Sequence, residues 1–107
     1  MFNPITNIVS EKELPGIFKL EQNYPNPFNP VTVIKYQIPF VQKLNAVNVS
    51  LKIYDILGRE VKALVNRVQK PGNYEIVFNA ENLPSGTYFY KISAGNFSDV
   101  KKMILLK

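Results

Sequence analysis

Apolar and polar residues alternate with a period of two along most of the chain after residue 31. The clearest run is residues 47–54, in which every odd position is aliphatic and every even position is polar or aromatic. Because successive side chains of a β-strand point to opposite faces of the sheet, this alternation predicts a strand with one buried face. The same pattern predicts further strands near residues 34–38, 73–78 and 88–93, and a shorter, weaker one at 61–65.

Short breaks rich in Gly, Pro, Asn and Asp separate the alternating runs, at residues 55–58, 70–73, 83–86 and 95–96. These residue types favour tight turns, and no segment of ten or more residues has helical periodicity. About seven short strands separated by frequent turns are the pattern of an all-β sandwich. We therefore predict one such domain at residues 17–107, preceded by a flexible N-terminal arm or linker at residues 1–16, where periodicity is weak.

A proline-rich stretch, NYPNPFNP at residues 23–30, directly precedes the first long run of β-forming residues. Proline restricts φ and has no N–H to donate, so this stretch cannot pair as a central strand. We interpret it as a rigid lead-in whose aromatic side chain, Phe28, is buried as a plug. The alternative is that Pro27 to Pro30 forms a PxxP ligand for an aromatic groove of another protein.

The last run, residues 100–106, has apolar residues on both faces and two adjacent lysines, Lys101 and Lys102. A strand covered on both sides has such a composition. An edge strand of this kind would instead pair with other chains unless something covered its free edge. The sequence leaves two candidates for that cover, another segment of the same domain and a second molecule.

The composition excludes several kinds of chemistry. With no cysteine and no histidine, the chain has no disulfide, thiolate zinc site, thiol nucleophile or imidazole base. The acidic residues lack calcium-loop spacing and the net charge of +5 is scattered, which predicts neither a metal site nor nucleic-acid binding. No apolar run approaches the ~20 residues that span a bilayer, and the first residues do not form a secretory signal. We therefore predict no enzyme activity, no cofactor and no membrane span.

Two aromatic residues, Tyr54 and Phe89, fall on the outward face of their predicted strands. Aromatic residues there either form a contact patch or pack beneath a loop, and the sequence does not distinguish the two. A contact patch would also suit a carbohydrate-binding module, although the absence of tryptophan weakens that interpretation.

An ordered set of short motifs resembles one known family. The motifs are Tyr24-Pro25-Asn26-Pro27-Phe28-Asn29-Pro30, Ile34-Lys35-Tyr36, Leu51-Lys52-Ile53-Tyr54-Asp55 with Gly58-Arg59-Glu60-Val61, Pro71-Gly72-Asn73-Tyr74, Leu83-Pro84-Ser85-Gly86-Thr87-Tyr88-Phe89-Tyr90, and the run from Lys101-Lys102-Met103 to Lys107. In order and spacing they resemble the C-terminal sorting domains of type IX secretion substrates, and the related immunoglobulin-like domain of flagellar hook-capping proteins. The likeness covers about residues 17–107.

The resemblance implies an immunoglobulin-like antiparallel β-sandwich of about seven strands that acts as a non-catalytic sorting signal. It implies recognition by the outer-membrane type IX translocon, removal by a surface sortase, an N-terminal cargo domain, and a destination outside the cell or on its surface. The residues that match the family's motifs, and that we expect at the site of partner recognition, are Pro25, Asn26, Pro27, Gly86, Tyr88, Lys101, Lys102, Met103 and Leu105.

A structural role is the alternative from a different class. A small β-domain can self-assemble on a cell surface by donating an arm or its last strand to a neighbour, or by pairing of sheet edges. Residues 1–16 would be the donor, since they contain spaced apolar residues. An assembly that disappears when residues 1–16 are deleted would favour this alternative.

Overall fold

The computed structural model describes residues 16–40 and 46–107, and all regular secondary structure in these ranges is β-strand. The strands, in chain order, are β1 (Lys19–Leu20), β2 (Val31–Ile38), β3 (Val47–Tyr54), β4 (Glu60–Gln69), β5 (Gly72–Asn79), β6 (Gly86–Ala94) and β7 (Phe97–Leu105). Nearly all of the predicted arm, residues 1–15, lies outside the described residues. Within the described ranges, no helix is long and apolar enough to cross a membrane.

The strands form two sheets in which every neighbouring pair is antiparallel. One sheet has three strands in the order β1-β2-β5, and the other has four in the order β4-β3-β6-β7. The connections β2–β3, β4–β5 and β5–β6 therefore cross between the sheets, as they do in immunoglobulin-like sandwiches. This architecture confirms the predicted sandwich of seven strands.

The core lies between the two sheets and is filled by the alternating side chains that the sequence pattern predicts. In β3 the residues at odd positions are buried and those at even positions are not. The buried residues of β2 include Ile34, Tyr36 and Ile38, and those of β6 include Tyr90 and Ile92. Because burying one such side chain contributes roughly 1.5–3 kcal/mol, the contact between the inner faces is the main source of stability.

Strand β4 departs from the prediction. It has ten residues and is longer than the short strand predicted there. Its pairing with β3 is interrupted by a bulge. Leu51 pairs with Val65, but the next residue of β3, Lys52, pairs with Ala63. Leu64 therefore has no residue opposite it. The extra residue shifts the alternation by one position, so Ala63 is exposed although Val65 is buried.

The last strand is covered on one face only, so of the two arrangements that its composition allowed it is the edge strand and not the strand covered on both sides. Strand β7 forms an edge of the four-stranded sheet. Its inward residues Met103 and Leu105 are fully buried, whereas Val100 and Lys102 on the outer face are exposed. The apolar Val100 made the run resemble a strand buried on both sides, although its alternation is that of a half-buried strand.

Candidate functional site

Residues 22–30, which we call the proline segment, cross from the three-stranded sheet to the edge of the four-stranded sheet. Near its start, Tyr24 and Val33 of β2 form an antiparallel bridge with two backbone hydrogen bonds of 3.0 Å. Four residues later, Phe28 forms a parallel bridge with Leu105 of β7. The three Xaa–Pro peptide bonds of the segment are cis. The proline segment thus joins the two sheets on the side of the sandwich where β1 and β7 lie.

The proline segment covers the free edge of β7 at its last residues. The backbone N–H of Phe28 donates to the carbonyl of Ile104 at 2.9 Å, and the N–H of Leu106 donates to the carbonyl of Phe28 at 3.0 Å. The N–H of Ile104 donates to the side-chain oxygen of Asn26, also at 3.0 Å. An edge whose backbone groups are satisfied in this way has little tendency to pair with another chain. Of the two candidates for the cover, the same domain supplies it here.

Asn23 anchors the inner side of the proline segment. Its side chain is 2% exposed, and its amide nitrogen donates to the hydroxyl of Thr32 at 3.0 Å and to the carbonyl of Pro25 at 3.1 Å. The hydroxyl of Thr32 donates to the same carbonyl at 2.8 Å. The side-chain amide of Gln22 donates both to the Asn23 side-chain oxygen and to the carbonyl of Lys102, each at 2.7 Å. Because the buried polar atoms of Asn23 and Thr32 have partners, the network is stabilising.

Tyr90 connects this network to the core of the four-stranded sheet. Its ring is fully buried, and its hydroxyl donates to the carbonyl of Glu21 at 2.6 Å and accepts from the N–H of Asn23 at 2.7 Å. Burial raises the pKa of Tyr90 to about 12, because the ionised form would lose its hydration. Only the neutral hydroxyl can both donate and accept a hydrogen bond. The raised pKa keeps the hydroxyl neutral and therefore keeps both of these hydrogen bonds.

Phe28 closes the gap between the sheets at this point. Its side chain is 2% exposed, and its ring centre lies 6.1 Å from that of Phe78, with the rings tilted by 51°. A tilted aromatic pair at this separation is a favourable packing arrangement. The predicted plug is therefore confirmed.

The turn before β6 lies beside the end of β7. Gly86 is paired with Leu105, and its φ of +153° is one that residues with a Cβ rarely adopt. The hydroxyl of Tyr88 donates to the carbonyl of Pro84, four residues earlier, at 2.7 Å. This arrangement corresponds to the tyrosine corner of immunoglobulin-like sandwiches. Burial raises the pKa of Tyr88 above its ordinary value, so the hydroxyl remains a donor.

The β3–β4 turn, residues 55–58, presents two aliphatic side chains to solvent. The carboxylate of Asp55 accepts from the backbone N–H groups of Leu57 and Arg59 at 2.9 Å and from the Arg59 guanidinium at 2.7 Å. The backbone hydrogen bond from Arg59 is the main reason that the pKa of Asp55 is lowered. At the tip, Ile56 and Leu57 are 71% and 73% exposed. An ordered turn that holds apolar side chains in water is typical of a contact surface.

An apolar cavity of about 460 Å³ lies between this turn and the turn before β6. Leu57, Val61, Leu83, Pro84 and Tyr88 contribute to its lining. The cavity and the exposed tip therefore form one apolar surface that both turns build.

The last residues of the proline segment, the two turns and the last residues of β7 lie at one end of the sandwich, which we call the distal end. The described chain begins at the opposite end, where the ring of Phe18 stacks on that of Phe97 at 5.0 Å. Ile56 and Leu57 were not among the predicted site residues, because the sequence of residues 55–58 predicts only a tight turn. Two aliphatic residues at the centre of a four-residue turn were the feature that could have revealed them.

The predicted recognition residues fall into two groups. The first group is accessible: Pro25, Asn26, Pro27, Gly86 and Lys102 are exposed, and Lys101 is half-buried. The side chains of the second group are buried in the core: Tyr88, Met103 and Leu105. The structure brings Phe28 of the proline segment, Gly86 and Leu105 together. Lys101 and Lys102 lie further back along β7, where the carbonyl of Lys102 accepts from the side chain of Gln22 at the start of the proline segment.

The comparison with known families decides what kind of domain this is. The sequence model of the secretion system C-terminal sorting domain matches residues 22–106, from the start of the proline segment to the residue after β7. The chain belongs to this family, the C-terminal sorting domains of type IX secretion. None of the curated proteins compared with the chain matches it.

A type IX sorting domain acts with the type IX secretion machinery on an attached cargo, and it directs that cargo to the cell surface or out of the cell. The family is one of sorting signals and not of enzymes. In the part of the chain that the structure describes, no three His, Cys, Asp or Glu residues are grouped to hold a metal ion. The family match gives no support to the alternative of self-assembly.

Proposed function

We propose that the outer-membrane type IX translocon recognises the folded sorting domain at its distal end and exports the cargo attached to it. One observation carries the proposal: three stretches that are distant in sequence form one continuous surface. Phe28 of the proline segment and Gly86 of the turn before β6 both pair with Leu105 of β7. This surface exists only when both sheets have assembled. A partner that binds it therefore distinguishes a folded domain from an unfolded chain.

The proposed mechanism is recognition without chemistry. The exposed pair Ile56 and Leu57 and the cavity beside it supply an apolar centre, and the proline segment supplies a polar rim. This is the anatomy of many protein–protein interfaces. The hydrogen bonds of Asp55 and the tyrosine corner of Tyr88 hold the surface in place before it binds. A preorganised surface loses little conformational entropy on binding.

The remaining predicted residues take different parts in this proposal. Tyr88, Met103 and Leu105 would support the surface from beneath, since their side chains are buried. Lys101 and Lys102 would extend the contact along β7. A surface sortase is the second partner that we propose, acting after export to cut the chain before the domain and attach the cargo to the surface.

The test is a fusion of an export signal and a fluorescent reporter to the N-terminus of the 107-residue chain. It is expressed in a bacterium that has a type IX system and in the same strain without the translocon. We expect reporter on the surface or in the medium only where the translocon is present. The mass of the delivered reporter would show whether and where a sortase cuts. Reporter that stays in the periplasm of both strains, with the domain folded, would overturn the proposal.

A further inference from the structure

We propose that the outer face of the four-stranded sheet binds an acidic protein surface. This inference rests on the proposed function, since we take the acidic partner to be a component of the export machinery. The face carries the even-numbered side chains of β3 and β7 and the odd-numbered side chains of β6. It adjoins the distal end, because Tyr54 directly precedes the β3–β4 turn.

The centre of this outer face is aromatic and aliphatic. Tyr54 and Phe89 lie directly opposite each other on β3 and β6, and both are half-buried. On β7, Val100 is 51% exposed and Ile104 is half-buried on the same face. Aromatic rings are enriched at the cores of protein interfaces. The two residues that the sequence placed on an outward face thus form the middle of an apolar strip.

Three lysines surround this strip. Lys52 lies directly opposite Lys91, and Lys102 lies directly opposite Phe89. Like charges directly opposite each other destabilise an antiparallel pair. Lys52 has an acidic partner in Glu60 at 3.2 Å, whereas Lys91 and Lys102 form no ion pair within the described residues. The face therefore keeps positive charge that the described part of the domain does not neutralise.

The outer face of the three-stranded sheet shows the opposite arrangement. There Lys35 lies directly opposite Glu75, and their charged groups are 3.6 Å apart. The same domain thus has complementary charges on one outer face and a like-charge pair on the other. A partner with carboxylates over Lys91 and Lys102 would complement the second face, and such complementarity fixes the orientation of a complex and speeds its formation.

The kind of charge pattern indicates a protein partner. Anionic lipid surfaces are bound by clusters of about 4–8 basic residues, and nucleic acids by rows of contacts to many phosphates. Three lysines around an apolar centre instead resemble the charged rim and hydrophobic core of a protein interface. An acidic polysaccharide could use the same rings and lysines, and the test below separates it from a protein.

The first arm of the test uses the variant K91E/K102E in the reporter fusion. The substitution K91E places opposite charges on neighbouring strands, so we expect a melting temperature no lower than that of the wild type. The matched control is K19E/K70E, which changes the net charge equally at the opposite end of the domain. We expect delivery to fall on the order of tenfold for K91E/K102E and to be unchanged for the control. Where the wild-type fusion is exported, equal delivery of K91E/K102E and of the control would overturn the inference.

The second arm separates this inference from the proposed function. The 107-residue chain is titrated with poly-L-glutamate and with polygalacturonate while its amide chemical shifts are recorded by NMR. We expect poly-L-glutamate to shift residues around Phe89, Lys91 and Lys102 in the wild type and not in K91E/K102E. Shifts scattered over all surface lysines, or shifts with polygalacturonate alone, would overturn the inference. If the wild-type fusion is not exported but the poly-L-glutamate result holds, the proposed function fails and the acidic-binding face stands.

Discussion

The side-chain oxygen of Asn26 accepts a hydrogen bond of 3.0 Å from the backbone N–H of Ile104, 78 residues later in the sequence. This contact joins the proline segment to the last strand. Two features that the sequence presents separately, a proline motif and a basic–apolar final run, are therefore parts of one structural unit. Damage to either part should expose the same sheet edge.

The contact itself can be removed by Asn26→Ala. We expect a loss of about 1 kcal/mol in the free energy of unfolding, because the N–H of Ile104 loses its partner at the sheet edge. Hydrogen exchange at Ile104 should become faster in the same variant. Asn29→Ala is the control, since Asn29 also precedes a proline and is exposed. An unchanged exchange rate at Ile104 in Asn26→Ala would show that this hydrogen bond does not hold the edge.

The plug can be removed by Phe28→Ala. Loss of a buried aromatic ring should lower the free energy of unfolding by about 3–5 kcal/mol. The buried ring also anchors the backbone that bonds to β7, so its loss should loosen that pairing, expose the free edge of the strand and increase aggregation. Tyr24→Ala is the matched control, since Tyr24 is in the same segment but 80% exposed. Urea denaturation and light scattering measure the two effects, and equal behaviour of the two variants would contradict the account.

The hydroxyl of Tyr90 can be removed alone by Tyr90→Phe. The carbonyl of Glu21 and the N–H of Asn23 would then lose their partner, at a cost of about 1–3 kcal/mol. The wild type should also lose stability as the pH rises from 10 through about 12, because the folded pKa of Tyr90 is about 12 and the ordinary value is 10.0. The difference between wild type and variant should shrink over that interval. A difference that stays constant with pH in urea denaturation would argue against the buried hydroxyl as its source.

The turn that presents Ile56 and Leu57 should depend on the ionisation of Asp55. Its pKa is lowered in the folded state, so its contribution to stability is present above the ordinary value and is lost as the pH falls through the lower folded value. We expect the amide signals of residues 55–58 to change in that acidic range. Asp55→Asn should remove this dependence on pH. An NMR titration of the carboxylate that finds its pKa at or above the ordinary value would refute the argument.

Much of the fold could be predicted because a strand with one buried face leaves a local trace in the sequence. The buried odd positions of β3 and the inward tyrosines of β6 follow directly from that period. The bulge at Leu64 could not be predicted, because an extra residue in one strand shows only when the partner strand is known. The segment that covers β7 could not be predicted from the sequence either, because a hydrogen bond between the distant residues Asn26 and Ile104 leaves no local sequence pattern.

The candidate site was predicted less completely. The family motifs led to Met103 and Leu105, but a motif does not distinguish a side chain that contacts a partner from one that supports the surface beneath it. Both are fully buried. Ile56 and Leu57 were not predicted because an apolar residue in a turn can be either buried or exposed, and its sequence does not show which. The structure shows that both are exposed. The accessible surface is therefore the part of the site that depends most on the three-dimensional structure.

The measurement that tests the central claim most directly is delivery of the reporter fusion carrying Ile56→Ser and Leu57→Ser together. The matched control is Ile17→Ser with Val68→Ser, because these side chains are similarly exposed, at 64% and 63%, and lie near the opposite end, where Val68 pairs with Asn48 at the start of β3. If the translocon binds the distal end, surface delivery should fall sharply for the first variant and stay at the wild-type level for the control. Both variant domains should be equally stable. Wild-type delivery of both variants would contradict recognition at the distal end.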